Sequence, residues 1–171
     1  MSIVDRVEHD IVPEAVRAAL ERLGVAFERI ACDPALSDTE DFALHYRYPL
    51  ERIVNTIVVR SRTGPAQRAA CVLLGSTRLD VNGAVRRRMD VRKVSFAAAE
   101  DVEELTGMPS GGVSPFGLPA GLPVWIDERV VGGAERLIVG SGERASKLLV
   151  APGAFRAIPG ATVIPDLAGS G

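Results

Sequence analysis

The chain has 171 residues, and its 20 lysines and arginines against 22 aspartates and glutamates leave a net charge of −2. This excludes gripping nucleic acid through bulk positive charge and confines any RNA contact to a local patch, with no DNA-binding character. With 47% apolar and 25% charged residues, the composition is that of one globular domain burying roughly two-thirds of its unfolded surface, not of a disordered segment.

In chain order, Met1 to Asp10 carries Asp5, Arg6, Glu8, His9 and Asp10, so no secretory signal is expected there. Val16, Ala19, Leu20 and Leu23 fall at helical spacing, which predicts an amphipathic helix over Pro13 to Leu23. Pro13 suits its first turn and Gly24 its C-terminal cap. Val25 to Ala31 reads as a strand broken by Asp33-Pro34. Ser37 and Glu40 have capping-box spacing, so a second helix should start near Asp38 and run to about Tyr46 before Pro49. Ile53 to Ser61 is rich in β-branched residues, and Gly64-Pro65 supplies a turn before the apolar run Ala69 to Leu74, together a central hairpin.

Asp80 is placed to cap a helix containing Val81, Val85 and Met89, which Gly83 weakens by about 1 kcal/mol relative to Ala. Lys93 to Ala97 is a short predicted strand and Ala98 to Thr106 an acidic helix closed by Gly107. From Pro109 to Pro123 four glycines and four prolines forbid regular structure, yet no charge appears. Linkers are polar, so this uncharged stretch reads as a functional loop. Strands at Val124 to Asp127, Arg136 to Val139 and Lys147 to Val150 follow, then a short helix near Pro152 to Ala157 and a last apolar stretch, Ala161 to Ile164. Without a repeated strand-helix-strand rhythm, the expected fold is α+β, a single domain with a mixed, mainly antiparallel sheet. No apolar run approaches the ~20 residues needed to cross a bilayer.

Cys32 and Cys71 lie far apart with no Cys-x-x-Cys or Cys-His spacing, so neither a metal site nor a disulfide framework is indicated. No cofactor is expected, and a reducing cytoplasmic setting is the simplest reading. Chemistry points instead to Gly111-Gly112-Val113-Ser114-Pro115-Phe116-Gly117. Consecutive glycines let backbone N–H groups approach a ligand and polarise a carbonyl oxygen. The plain alternative is a tight turn. The segment is neither a Walker loop nor a dinucleotide fingerprint, and Ser114 is no nucleophile elbow because Pro115 and Phe116 follow it.

With its flanking segments, this loop resembles the YbaK/EbsC proteins and the editing domain associated with prolyl-tRNA synthetase, which deacylate mischarged tRNA. The resemblance is carried by Thr39-Glu40-Asp41-Phe42-Ala43, by Glu51 to Val59, by the Gly-x-x-x-Pro element Gly111 to Pro115, and by Val139-Gly140-Ser141-Gly142. It implies one such domain over 1–171, with its core at about 13–165, acting without cofactor or metal on the acceptor end of a tRNA carrying a small amino acid, with an aminoacyl-tRNA synthetase as a further partner. It also places Gly111, Gly112, Val113 and Ser114 at the reaction centre together with Asn55, which stands where the family carries a lysine. Substrate contacts would come from Pro115, Phe116, Ser141 and Lys147.

Asn55 interrupts the apolar row Ile53, Ile57, Val59, and such a polar residue is either paired structurally or lines a pocket. Its amide has two donors but no charge, so it does not replace an ammonium's attraction for phosphate. Lys147 is the candidate substitute cation, against the reading of a solvated strand residue. The run Arg86 to Arg88, continued by Arg92 and Lys93, is either a solvated helix face or a contact for an acceptor stem. His9 and His45 show no triad or metal spacing. Three functions stay open: an aminoacyl-tRNA deacylase; a family member that binds aminoacyl-tRNA, an amino acid or a protein without hydrolysis, because of Asn55; and a hydrolase for some other small ester.

Overall fold

The structure, a computed structural model, describes residues 12–170, so the expectations for Met1 to Asp10, including His9, lie outside the described residues. Helix α1 (Glu14–Leu23) buries Val16, Ala19 and Leu20, and Gly24 closes it in the left-handed region. Pro13 sits at the cap position just ahead of the first turn, with an extended ψ of 139°. After β1 (Phe27–Ala31), a 3-10 turn (Pro34–Leu36) leads to α2 (Thr39–Tyr46). The expected capping box does not form. Ser37 turns its hydroxyl away to the carbonyl of Gly111 at 2.7 Å, and Asp38, at the N-cap, pairs with Arg144 instead of bonding the helix. Arg47, at φ 60°, ends α2 before Pro49 is reached.

The hairpin of β2 (Ile53–Ser61) and β3 (Arg68–Leu74) runs in register from Val54↔Leu74 to Arg60↔Arg68. Next come β4 (Thr77–Leu79), a wide turn at Val81–Val85, and a single helical turn, α3 (Arg86–Met89). Asp80 caps this segment as expected, accepting from the amides of Gly83 and Ala84 at 3.1 and 3.0 Å. Gly83 is the residue that permits the cap, because a Cβ there would overlap the Asp80 carboxylate. β5 (Val94–Phe96) and α4 (Ala99–Thr106) precede the Gly/Pro loop, which holds no helix or strand. The remaining elements are β6 (Val124–Asp127), α5 (Glu128–Val131), β7 (Leu137–Gly140), β8 (Ser146–Val150), a 3-10 segment (Pro152–Ala157), β9 (Ala161–Ile164) and β10 (Ala168–Ser170).

The main sheet has the order β1-β8-β7-β2-β3-β6-β9, with β5 also on β2. Four of its pairings are antiparallel, while β2/β7, β3/β6 and β6/β9 are parallel. It is therefore a mixed, mainly antiparallel sheet with flanking helices, as expected. β4 and β10 form a separate two-stranded ribbon. One face packs Val54, Val72, Ile126 and Leu148 against α1, Phe116 and Phe155. The other packs Val59, Cys71, Leu73 and Trp125 against Val85, Met89 and Leu167. Each fully buried Leu, Val or Phe contributes roughly 1.5–3 kcal/mol.

One feature of this sheet makes the site. On the side away from β3, β2 is shared by two strands: β7 pairs with Ile53 and Val54, and β5 pairs with Val59 to Ser61. Between them no strand covers residues 55–58, and the sheet opens.

Candidate functional site

The opening is a cleft of about 310 Å³ lined by Val54 to Val58 of β2, by Phe96, Ala97 and Val102 from β5 and α4, by Asp38 and Thr39, by Ser110, Gly111 and Val113, and by Val139, Gly140 and Lys147. The loop is pressed against β7 and the β7–β8 turn. A Cβ on Gly140 would overlap the Val113 carbonyl, and one on Gly112 would lie 2.6 Å from the carbonyl oxygen of Glu143. Gly111 takes φ +80°, a left-handed conformation that favours glycine.

Hydrogen bonds fix this loop from behind. The Gly111 carbonyl accepts from Ser37 Oγ at 2.7 Å and from Lys147 Nζ at 3.1 Å. The Ser110 carbonyl accepts from Arg144 Nη1 at 2.7 Å. Gly112 donates to Pro109 O at 3.0 Å and accepts from Gly142 N at 2.7 Å. The amides of Gly111 and Val113, both on the cleft wall, have no partner among the described residues. Each shares a peptide unit with an anchored carbonyl, that of Ser110 or Gly112. A hydrogen bond to the carbonyl polarises the peptide and strengthens the N–H at its other end. Gly112 N–H is thus consumed within the loop, while the amides of its two neighbours have no partner among the described residues.

Asn55 lines the cleft, and its side-chain oxygen bonds the hydroxyl of Thr39. No described residue bonds its amide nitrogen. Lys147 is not a solvated strand residue: it is 4% exposed. Its ammonium donates to Ser37 O at 2.5 Å and Gly111 O at 3.1 Å and lies 5.4 Å from the Phe42 ring centroid. Burial holds its pKa below the ordinary lysine value. Arg144 pushes the same way, against opposing contributions from Cys32 and Asp38.

The other sequence candidates lie elsewhere. Ser114 is wholly buried, its amide against Met108 Sδ and its hydroxyl accepting from Phe116 N. Ser141 is equally buried and bonds Ser146. Pro115 and Phe116 border a separate depression beside α1. His45 is exposed on α2, and Arg86 to Arg88 are exposed on α3, outside the cleft. Sequence reading missed Thr56, whose buried hydroxyl has no partner among the described residues, and Ser37, Thr39 and Arg144, which hold Asn55 and the loop. Only the alternation of β2, which would have put Thr56 opposite Asn55, gave a signal for any of them. No group of three or more metal-ligating side chains occurs among the described residues, and none of their helices is long and apolar enough to cross a membrane.

A family model described as the aminoacyl-tRNA editing domain matches residues 33–158. No protein with curated annotation matches the sequence significantly. Among solved structures, hypothetical protein APE2540 is similar with a TM-score of 0.78 at 24% identity, over 91% of this chain and 100% of that one. A protein described as a candidate trans-editing enzyme for prolyl tRNA synthetase is similar with a TM-score of 0.75 at 24% identity, over 100% and 99%. A protein from Marinobacter aquaeolei VT8, described as a candidate signal transduction protein, gives a TM-score of 0.57 at 17% identity over 90% of this chain and 30% of its own. At these identities the likenesses establish the fold.

Proposed function

The chain belongs to the aminoacyl-tRNA editing domain family, and from that premise we propose that it is a trans-acting deacylase that clears a small amino acid from mischarged tRNA. The observation that carries this reading is the pair of unpartnered amides at Gly111 and Val113, residues that line the same cleft as Asn55 and Lys147. The ester carbonyl oxygen would accept from those amides, which stabilise the charge that develops when water adds to the carbonyl carbon. The bond from that carbon to the ribose oxygen then breaks. The ribose oxygen takes a proton derived from the water, and the amino acid leaves as its carboxylate.

In this scheme Asn55 holds the terminal ribose through its free amide donors. Lys147 sets the electrostatics of the loop by binding two of the carbonyls behind it, so its positive charge acts at short range on the developing oxyanion. Gly112, Ser114 and Ser141 serve as scaffold, while Pro115 and Phe116 seat the loop in the core. The apolar walls from Val54, Val58, Ala97, Val102 and Val139 suit a small, uncharged side chain. A synthetase that hands over its product is the natural further partner.

The test is to incubate the pure protein with alanyl-, seryl- and cysteinyl-tRNA and follow ester loss. Hydrolysis of at least one is expected, and hydrolysis of none defeats the reading. The bond between Asn55 and Thr39 favours a second reading, a binding module in which the side-chain oxygen of Asn55 is structurally occupied. Asn55→Lys separates the two: lost hydrolysis means a site adapted to an amide, and gained hydrolysis means a degenerate relative.

A further inference from the structure

Phe96 and Leu44 are the large apolar side chains left open to solvent among the described residues, and Phe96 is 58% exposed. Leu44 lies on α2 away from the cleft. Phe96 ends β5, pairs with Val59, and stands on the rim between the cleft and a second depression of about 710 Å³. Ile57 and Leu73 give that depression apolar surface, and Thr39, Thr77 and Arg78 add polar edges. Asn55 borders both hollows.

We propose that Phe96 is a stacking platform for the 3′-terminal base of an RNA strand, which occupies this second depression while the ribose sits at Asn55 and the ester in the cleft. The inference rests on the deacylase reading and adds to it the place where the nucleic acid lies. A flat apolar ring at a polar rim matches the face of a nucleobase, and stacking of this kind tolerates any base.

Charge indicates the direction from which the strand arrives. Arg78, at the edge of the depression, has no carboxylate partner among the described residues. Neither do Arg92 and Lys93, which precede β5, nor Arg62, whose amide bonds the Lys93 carbonyl at 2.8 Å. Arg92 lies four residues back from Phe96, at most about 13 Å along the chain, of which Val94–Phe96 is strand. Phosphates upstream of the terminal base therefore meet cations at Arg78 and on the approach to β5 that have no carboxylate partner among the described residues. On the opposite border, Asp38, Glu40 and Asp41 repel them.

The experiment measures binding of a short RNA ending in CCA, carrying no amino acid, to wild type, Phe96→Ala, Phe96→Leu and Phe96→Tyr, with circular dichroism confirming that each variant folds. Ala and Leu should weaken binding roughly tenfold to a hundredfold, and Tyr should bind like wild type. Arg78→Ala should reduce the salt slope by about 1. Leu binding as tightly as Phe overturns the proposal, because it would show a mere apolar contact. So does no RNA binding by wild type, or adenosine monophosphate binding as tightly as the RNA, which would mark a free-nucleotide site. The binding arm does not depend on hydrolysis. Phe96-dependent binding without ester loss sinks the deacylase reading alone, whereas ester loss with a KM indifferent to Phe96→Ala sinks this inference alone.

Discussion

A lysine whose ammonium lies out of water, bonded to two backbone carbonyls, is costly unless its position serves something. At Lys147 the carbonyls belong to Ser37 and Gly111, which joins the entrance of α2 to the loop. Lys147→Met keeps the bulk but removes the charge and leaves the buried Ser37 carbonyl without its donor, so at pH 7 it should cost about 1–3 kcal/mol of stability and lower deacylation under the proposed mechanism. The pH dependence has a definite sign. Burial holds the folded pKa below the ordinary 10.5, so between those two values the unfolded chain binds more protons and the wild type gains stability as pH rises. Urea denaturation of wild type and Lys147→Met at pH 7 and pH 10 should show the wild type improving relative to the variant. An unchanged difference would mean that the ammonium is not buried. A second expectation concerns Gly112→Ala. Its new Cβ would press on the Glu143 backbone, so the loop must shift, and kcat should drop by an order of magnitude or more with the melting temperature only slightly lowered. At this scale local signals singled out Asn55, a polar residue in an apolar row, and the paired glycines at Gly111, whereas Val113 and Lys147 came forward only through the family resemblance. It could not show that Ser114 and Ser141 are swallowed by the core, since that depends on contacts made far along the chain.

Among the elements, α3 and its approach invert a rule drawn from propensity. Glycine in a helix ordinarily weakens it, and replacement by Ala helps by about 1 kcal/mol. Here Gly83 lies under the Asp80 carboxylate that caps its own amide. Gly83→Ala should therefore destabilise, and Asp80→Ala should cost about 0.5–2 kcal/mol. Because both act on one cap, the double variant should lose less than the sum of the two, as thermal or chemical denaturation can measure. Element positions were largely legible: β2 and β6 fall where strands were expected, while β9 occupies a stretch that was recognised only as apolar. β4 and β10 were not, because three-residue strands are defined by their partner, and Thr77 to Leu79 and Ala168 to Ser170 carry no periodicity of their own. The gap in β2's edge was equally hidden, being created by two strands from distant parts of the chain.

For the molecule as a whole, both cysteines lie inside. Cys71 has its thiol pushed up to about 12 by burial, and Cys32 is also raised by burial, with Lys147 opposing. The native protein should leave both unmodified by iodoacetamide at pH 8 and react at both once unfolded, and mass spectrometry distinguishes the two results. For groups raised in this way, stability present below the unfolded value near 9 is lost as pH climbs toward the folded one. Thiol titration thus pulls stability down above pH 9, against the gain from Lys147. The mixed, mainly antiparallel character of the sheet followed from the rhythm of strands and short hairpins. Its order did not, because β6, β7 and β9 enter through parallel pairings that no local pattern encodes.

The sole tryptophan, Trp125, lies in the core beneath α3, 8% exposed, with the Arg88 guanidinium 5.5 Å from its ring centroid. Its emission is therefore an optical gauge of whether that arginine-bearing turn stays docked. Lifting α3 should redden the spectrum long before the opposite half of the fold melts, whereas an occupant of the cleft, which Trp125 does not line, should leave the colour of the light alone.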